Sequence, residues 1–307
     1  MLPSFAGPHR GLLKYPLAGI TCSRLALGCM NFGGTWEPGS DYTEEAFNRS
    51  RAALETALEL GWNVFDHADI YGRGRSEAIF GKLLQDLRLS RDALIIQTKC
   101  GIRFADEPVQ GMPHRYDFSA QHIRESLENS LRRLQTEYVD IFLLHRPDFL
   151  ADPDEIVSTL DALKSEGKLR HAGVSNFTPF QMDLYADAGF VPVANQVEIS
   201  PLKPALIECG LVAQDARPSN GHPGDGTLEW HRRKGVVTQA WAPLAYGYLS
   251  GRKPKTDDPG LKAGAEYVRE LAEEKGVAEE AIVIAWLLRH PAAIQPIIGS
   301  LDPQRLR

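Results

Sequence analysis

Eight short apolar runs, each followed by a longer stretch with apolar residues at helical spacing, restrict this chain more than any other feature. The runs span residues 25–30, 63–67, 94–100, 140–145, 171–175, 193–197, 236–241 and 295–298. Several of them, including VDIFLLH, VVTQAW and QPIIGS, are apolar almost throughout. That suits parallel strands covered on both faces, whereas half-exposed antiparallel strands alternate. Residues 43–60, 76–87, 119–134, 154–166, 178–187, 266–275 and 278–289 read as amphipathic helices. Thr43 supplies an N-cap, Gly167, Gly189 and Gly276 fall at or beyond helix ends, and Pro291 closes the last helix. The repeated alternation predicts an α/β fold, a single (β/α)8 TIM barrel domain over residues 1–307. An open doubly wound sheet needs three spaced glycines after a strand; Gly72 and Gly74 begin that spacing, but the third position is Glu77.

Residues 13–20 predict a β-hairpin ahead of the first strand that plugs the opposite end of the barrel. Two long loops, 101–118 and 201–226, follow the third and sixth strands and so emerge at the C-terminal face. Barrel enzymes hold their sites on that face, and the first loop is expected to line a pocket. The second carries the glycine-rich tip PSNGHPGDG.

A net charge of -6 with no basic stripe argues against nucleic acid as the main partner. No apolar stretch reaches membrane-spanning length, and residues 1–10 lack the charged and apolar regions of a secretory signal. Cys22, Cys29, Cys100 and Cys209 are scattered, with neither a CxxC pair nor a disulfide framework. The expectation is a cytoplasmic protein acting on a small molecule. The sequence carries no signal of oligomeric state.

The polar residues that close the apolar runs carry the chemistry. Asp66 ends the second strand, with Tyr71 five residues on; Lys99 ends the third and His145 the fourth. In a barrel these groups converge on one rim. Carbonyl reduction fits them, because hydride added to carbon leaves negative charge on oxygen that a nearby acid must protonate. Tyr71 is the candidate acid. Its phenol, ordinarily ionising at about 10, needs a cation beside it, which Lys99 supplies. Asp66 would hold Lys99, and His145 would orient the substrate oxygen. His67, Asp69, His145 and His171 leave a metal-dependent barrel hydrolase as an alternative, although His67-x-Asp69 stands where such enzymes place His-x-His.

FDHADIYG, QTKCG, LLHRPD, GVSNF, NQVE and AWAPLA, in that order, resemble the aldo-keto reductase superfamily over nearly the whole chain. The resemblance implies that Asp66, Tyr71, Lys99 and His145 form a catalytic tetrad reducing aldehydes or ketones to alcohols. It further implies that Ser175, Asn176 and Gln196 hold a nicotinamide carboxamide, that Trp241 stacks on the ring, and that Pro243 and Leu244 follow the pyrophosphate. Gly28 and Met30 are implied cofactor contacts as well. IIGSLDPQR resembles the family's adenosine-phosphate segment, which makes Gly299, Ser300 and Arg305 candidates there and NADP(H), rather than NAD(H), the expected cofactor. A small-molecule carbonyl is the implied substrate. A cofactor-binding regulatory or scaffold protein with slow turnover is a further alternative within the same resemblance.

Overall fold

The computed structural model describes residues 12–16, 18–209, 226–251 and 258–307. It begins with an antiparallel hairpin, β1 (Leu12–Tyr15) and β2 (Ile20–Ser23), followed by β3 (Ala26–Gly28), α1 (Glu44–Glu59), β4 (Val64–Asp66), α2 (Arg75–Asp86) and β5 (Ile95–Cys100). A two-residue ladder, β6 (Ile102–Arg103) with β7 (Arg115–Tyr116), braces the loop over 101–118. Next come α3 (Ala120–Leu134), β8 (Val139–Leu144), α4 (Pro153–Ser165), β9 (Leu169–Ser175), α5 (Pro179–Asp187) and β10 (Ala194–Glu198). The chain continues through α6 (Ala205–Glu208), α7 (Thr227–Lys234), β11 (Val237–Trp241), α8 (Pro259–Lys275), α9 (Glu279–Arg289), β12 (Gln295–Ile298) and α10 (Pro303–Leu306).

Eight of these strands close into a parallel barrel in the order β10-β11-β12-β3-β4-β5-β8-β9, as the apolar runs require. Side chains cap the helices, Thr43 on α1 as the sequence predicts and Thr178 on α5 in addition. Thr43 Oγ1 accepts from Ala46 N at 3.1 Å, and Thr178 and Gln181 form a reciprocal capping box on α5. Two expectations change. The helix expected from 266 starts at Pro259, because Asp258 accepts from Gly260 N and Leu261 N while Pro259 opens the first turn; Gly260 and Gly264 obscure its period in the sequence. Helix α7 was not expected at all, since TLEWHRRK is short and mostly polar. The PSNGHPGDG tip, save Gly226, and residues 1–10 lie outside the described residues.

The hairpin plugs the N-terminal end. Leu13, Tyr15 and Cys22 pack against Ala26, Val64, Ile95, Ala194 and Val237, which lie at the beginnings of barrel strands. The larger core lies between strands and helices and includes Leu54, Phe65, Phe80, Ile96, Phe142 and Leu160. No helix of the described residues is long and apolar enough to cross a membrane.

Helices α2 and α3 cross at Gly81, where an added Cβ would stand 2.2 Å from the Arg133 carbonyl oxygen. Backbone cannot yield as a side-chain tip can. Alanine ordinarily strengthens a helix relative to glycine. Here Gly81→Ala should instead lower stability by about 1–3 kcal/mol through overpacking, read as the midpoint of urea unfolding. An unchanged or raised midpoint would contradict the close crossing.

Candidate active site

Strands β4, β5 and β8 are neighbours, and their C-terminal ends bring Asp66, Lys99 and His145 to one rim. Beyond β4 the backbone stays tied to β5: His67 N donates to Gln97 O at 2.8 Å and Asp69 N to Lys99 O at 3.0 Å. The chain then turns through a 3-10 segment, Tyr71–Gly74, with Gly72, Arg73 and Gly74 all at positive φ. Gly72 also lies against Gly33, where a Cβ would come within 3.1 Å of the Gly33 Cα. This tight turn carries Tyr71 back over Lys99.

Lys99 Nζ donates to Asp66 Oδ2 at 2.9 Å, to the His67 carbonyl at 2.7 Å and to Tyr71 Oη at 3.0 Å. Three N–H groups thus meet three acceptors in a side chain with 0% exposure. Burial works against the ammonium, but Asp66 and Tyr71 outweigh it and hold the lysine above its ordinary value. For Tyr71 the balance runs the other way. Burial raises the phenol, Lys99 pulls it part of the way back, and Asp66 adds to the rise, so the net displacement is upward. The ammonium therefore acidifies the phenol less than burial raises it, and Tyr71 keeps its proton at neutral pH. The His145 ring lies 6.0 Å from the Tyr71 ring at 82°. Burial, with Lys99 and Arg146 acting in the same sense, holds this imidazole well below its ordinary range and hence neutral. Its Nδ1 has no hydrogen-bond partner.

A second group occupies the ends of β9, β10 and β11. Asn176, at φ 64, donates from Nδ2 to Ser175 Oγ at 2.7 Å and accepts from Trp241 Nε1 at 3.1 Å. Its Nδ2 also lies 3.4 Å from the His145 carbonyl oxygen, which joins this group to the first. Gln196 Nε2 donates to Asp66 Oδ1 at 2.9 Å. A hydroxyl, two amides and a flat indole beside a neutral imidazole fit an aromatic ring bearing a carboxamide. Pro243 and Leu244 follow at the turn after β11. Gly28 pairs with Asp66 in register, and a Cβ there would stand 2.9 Å from Ile297 Cγ2; Met30 is 43% exposed at the rim.

Past β12, the Gly299 carbonyl accepts from Asn31 Nδ2 at 3.1 Å, and Ser300 Oγ accepts from Asp302 N at 3.2 Å. Arg305 is engaged with Glu280, to which Nε donates at 2.7 Å, while Nη2 donates to the Ser250 carbonyl at 3.0 Å. Glu280 had no place in the sequence reading. Neither had Gln97, Gln239, Gln295 or Tyr15, which are joined by hydrogen bonds inside the barrel below Asp66. Single amides interrupting apolar strands, as in IIQTKC and VVTQAW, were the available signal. Trp36 stands edge-on to the Tyr71 ring, and Phe104 lies against Trp36.

The groups of the hydrolase alternative do not gather. His67 is buried between Phe32 and Phe80, and His171 lies early in β9 opposite Ile141. Among the described residues no group of three or more His, Cys, Asp or Glu side chains is arranged to hold a metal.

Comparison with known proteins identifies the family and the fold. The sequence profile of the Aldo/keto reductase family matches residues 24–307. The chain is 36% identical over 277 residues to a 6-dehydroglucose reductase of Agrobacterium fabrum, covering 89% of this chain and 85% of that protein. It is also 36% identical over 256 residues to the oxidoreductase YdhF of Escherichia coli, covering 83% and 78%. The glycerol dehydrogenase AKR11B4 of Gluconobacter oxydans superposes with a TM-score of 0.76 at 25% identity, covering 96% of this chain and 88% of that one.

Asp69, which accepts a hydrogen bond from Ser126 of α3, gives a pH test of the arrangement. Burial, reinforced by Glu77, pushes its carboxyl up to about 7 against the hydrogen bonds of Ser126 and Ile70 and the charge of Arg133. The unfolded chain ionises this group near its ordinary value of about 4, whereas the folded chain holds the proton. Its contribution to stability is therefore complete below about pH 4 and is lost as pH rises to about 7. Asp69→Asn cannot ionise, so its melting temperature relative to the parent should climb across that window and level off above it. A difference independent of pH would contradict the assignment.

Proposed function

The chain belongs to the aldo/keto reductase family of oxidoreductases, and from that premise we propose that it reduces aldehydes or ketones to alcohols, with Tyr71 as the proton donor. The observation that carries the proposal is the 3.0 Å contact between Tyr71 Oη and the buried, acceptor-saturated Lys99 ammonium. When bound, a nicotinamide cofactor supplies the hydride that goes to the carbonyl carbon. Ser175, Asn176 and Gln196 hold its carboxamide and Trp241 stacks on its ring. Gly28, Met30, Pro243 and Leu244 line its path, with Gly299, Ser300 and Arg305 at the adenosine end and NADP(H) as the expected form.

As the carbonyl π electrons move onto oxygen, the Tyr71 hydroxyl gives its proton to that oxygen and keeps the O–H electron pair. The resulting phenolate faces Lys99, whose charge matters most at that moment. His145, held neutral, donates one N–H to the same oxygen and orients it. Trp36, edge-on to the phenol ring, is a candidate wall for the substrate. Two relatives are named for polyhydroxylated compounds, so sugar-derived aldehydes belong in the first substrate panel alongside simple ones.

Tyr71→Phe should retain cofactor binding and lose carbonyl reduction by more than about a hundredfold, followed as NADPH oxidation. Parental turnover in that variant would sink the assignment. Arg305→Ala should weaken NADPH by about tenfold and NADH much less, since a guanidinium recognises the 2′-phosphate that only NADPH carries. Equal losses in titrations of the two cofactors would remove Arg305 from that role.

A further inference from the structure

A column of buried amides runs along the barrel axis from the hairpin to Asp66. Gln97, Gln239 and Gln295 are 0% exposed, Tyr15 1% and Gln196 3%. An apolar side chain would fill this space without needing partners, so a polar column requires a reason. The reason lies in its direction. A side-chain amide has one accepting and one donating end, and a backbone carbonyl only accepts. Gln295 Nε2 donates to the Ser23 carbonyl at 2.9 Å, which turns Gln295 Oε1 towards the axis. There it accepts from Tyr15 Oη and, at 3.0 Å, from Gln239 Nε2. Gln239 Nε2 also faces Tyr15 Oη at 2.9 Å and Gln97 Oε1 at 3.0 Å. Gln239 Oε1 must then point the other way, where it accepts from Gln97 Nε2 at 3.0 Å and Gln196 Nε2 at 3.2 Å. Those two Nε2 groups direct their second N–H to Asp66 Oδ1. Asp66 Oδ2 is left to Lys99.

We infer that Gln239 is a positioning residue for proton transfer: it touches neither the reacting atoms nor Lys99, but fixes which ends of Gln97 and Gln196 face Asp66. Without its carbonyl, both Nε2 groups lose the second acceptor that fixes them, and their hold on Asp66 Oδ1 loosens. Asp66 would then lose donors on Oδ1 and draw harder on the charges and protons around it. The polarity of the column is set at the hairpin by a carbonyl that cannot be inverted, so the plug of the barrel specifies the electrostatics of its mouth. This rests on the reading of Tyr71 as the group that exchanges the proton.

The test uses the reverse reaction. Alcohol oxidation needs the Tyr71 phenolate, so kcat/KM should rise with pH along a limb that reports the phenol. Asp66 raises that phenol, and stripping donors from Asp66 strengthens the effect. Gln239→Met should therefore move the limb upward by about 0.5 in pH and lower kcat for reduction by about tenfold. A limb that stays in place in folded Gln239→Met, whatever its melting temperature, reduces Gln239 to a structural residue and overturns the inference alone. Where Gln239→Met does not fold, Tyr15→Phe serves instead. It keeps the ring in the plug and removes one O–H, and should give a smaller displacement in the same direction; an unmoved limb there is equally fatal. Failure of the Tyr71 reading has a different signature, a Tyr71→Phe enzyme that keeps the limb, and it takes this inference down with it.

Discussion

An ammonium group sealed from water must find an acceptor for each of its protons or give one up. Lys99 is such a group, and its three acceptors come from three different parts of the chain's second βα unit: the end of β4, the residue after it, and the turn beyond. Much of the local architecture follows from meeting that demand. The continued pairing of residues 67 and 69 with β5, the positive φ values at Gly72 to Gly74 and the close approach of Gly33 each serve to bring Tyr71 back over the rim. Removing Asp66 would leave a buried cation with a neutral carbonyl and a phenol, and a lysine so placed surrenders its proton.

The balance of effects at Tyr71 shows why a contact list does not give a charge state. Lys99 stabilises the phenolate, yet the same burial that keeps Lys99 dry disfavours any new charge on the ring, and burial prevails. A phenol that holds its proton until an oxyanion forms beside it is a suitable acid for reduction. The neutral His145 leaves Lys99 as the one cation among the four rim residues.

Strand positions were legible because a strand covered on both faces must be apolar throughout, so a polar residue closing such a run marks the rim. Asp66, Lys99 and His145 stood out for that reason, and Tyr71 by its distance from Asp66. The interior amides were not legible. Whether Gln97 or Gln239 faces the axis or the helices depends on barrel closure, and closure pairs residues far apart in sequence. The Arg305 and Glu280 pair was hidden similarly, by helices whose packing no local pattern specifies. Helix α8 concealed its first turns behind glycines, and α7 was too polar to register as amphipathic.

Closure of the cylinder depends on the pairing of β12 with β3, Ile297 beside Ala26 and Ile298 beside Leu27. The strands that lead to the four rim residues come early in the chain, whereas the strand that seals the seam is the last of the described strands. During synthesis, a partly made molecule would therefore own its Asp66, Tyr71 and Lys99 corner while presenting two bare strand edges to its surroundings. The interval before the seam closes is when this chain is most exposed to pairing with the wrong neighbour, and faster joining of its two ends, more than a tighter core, would shorten it.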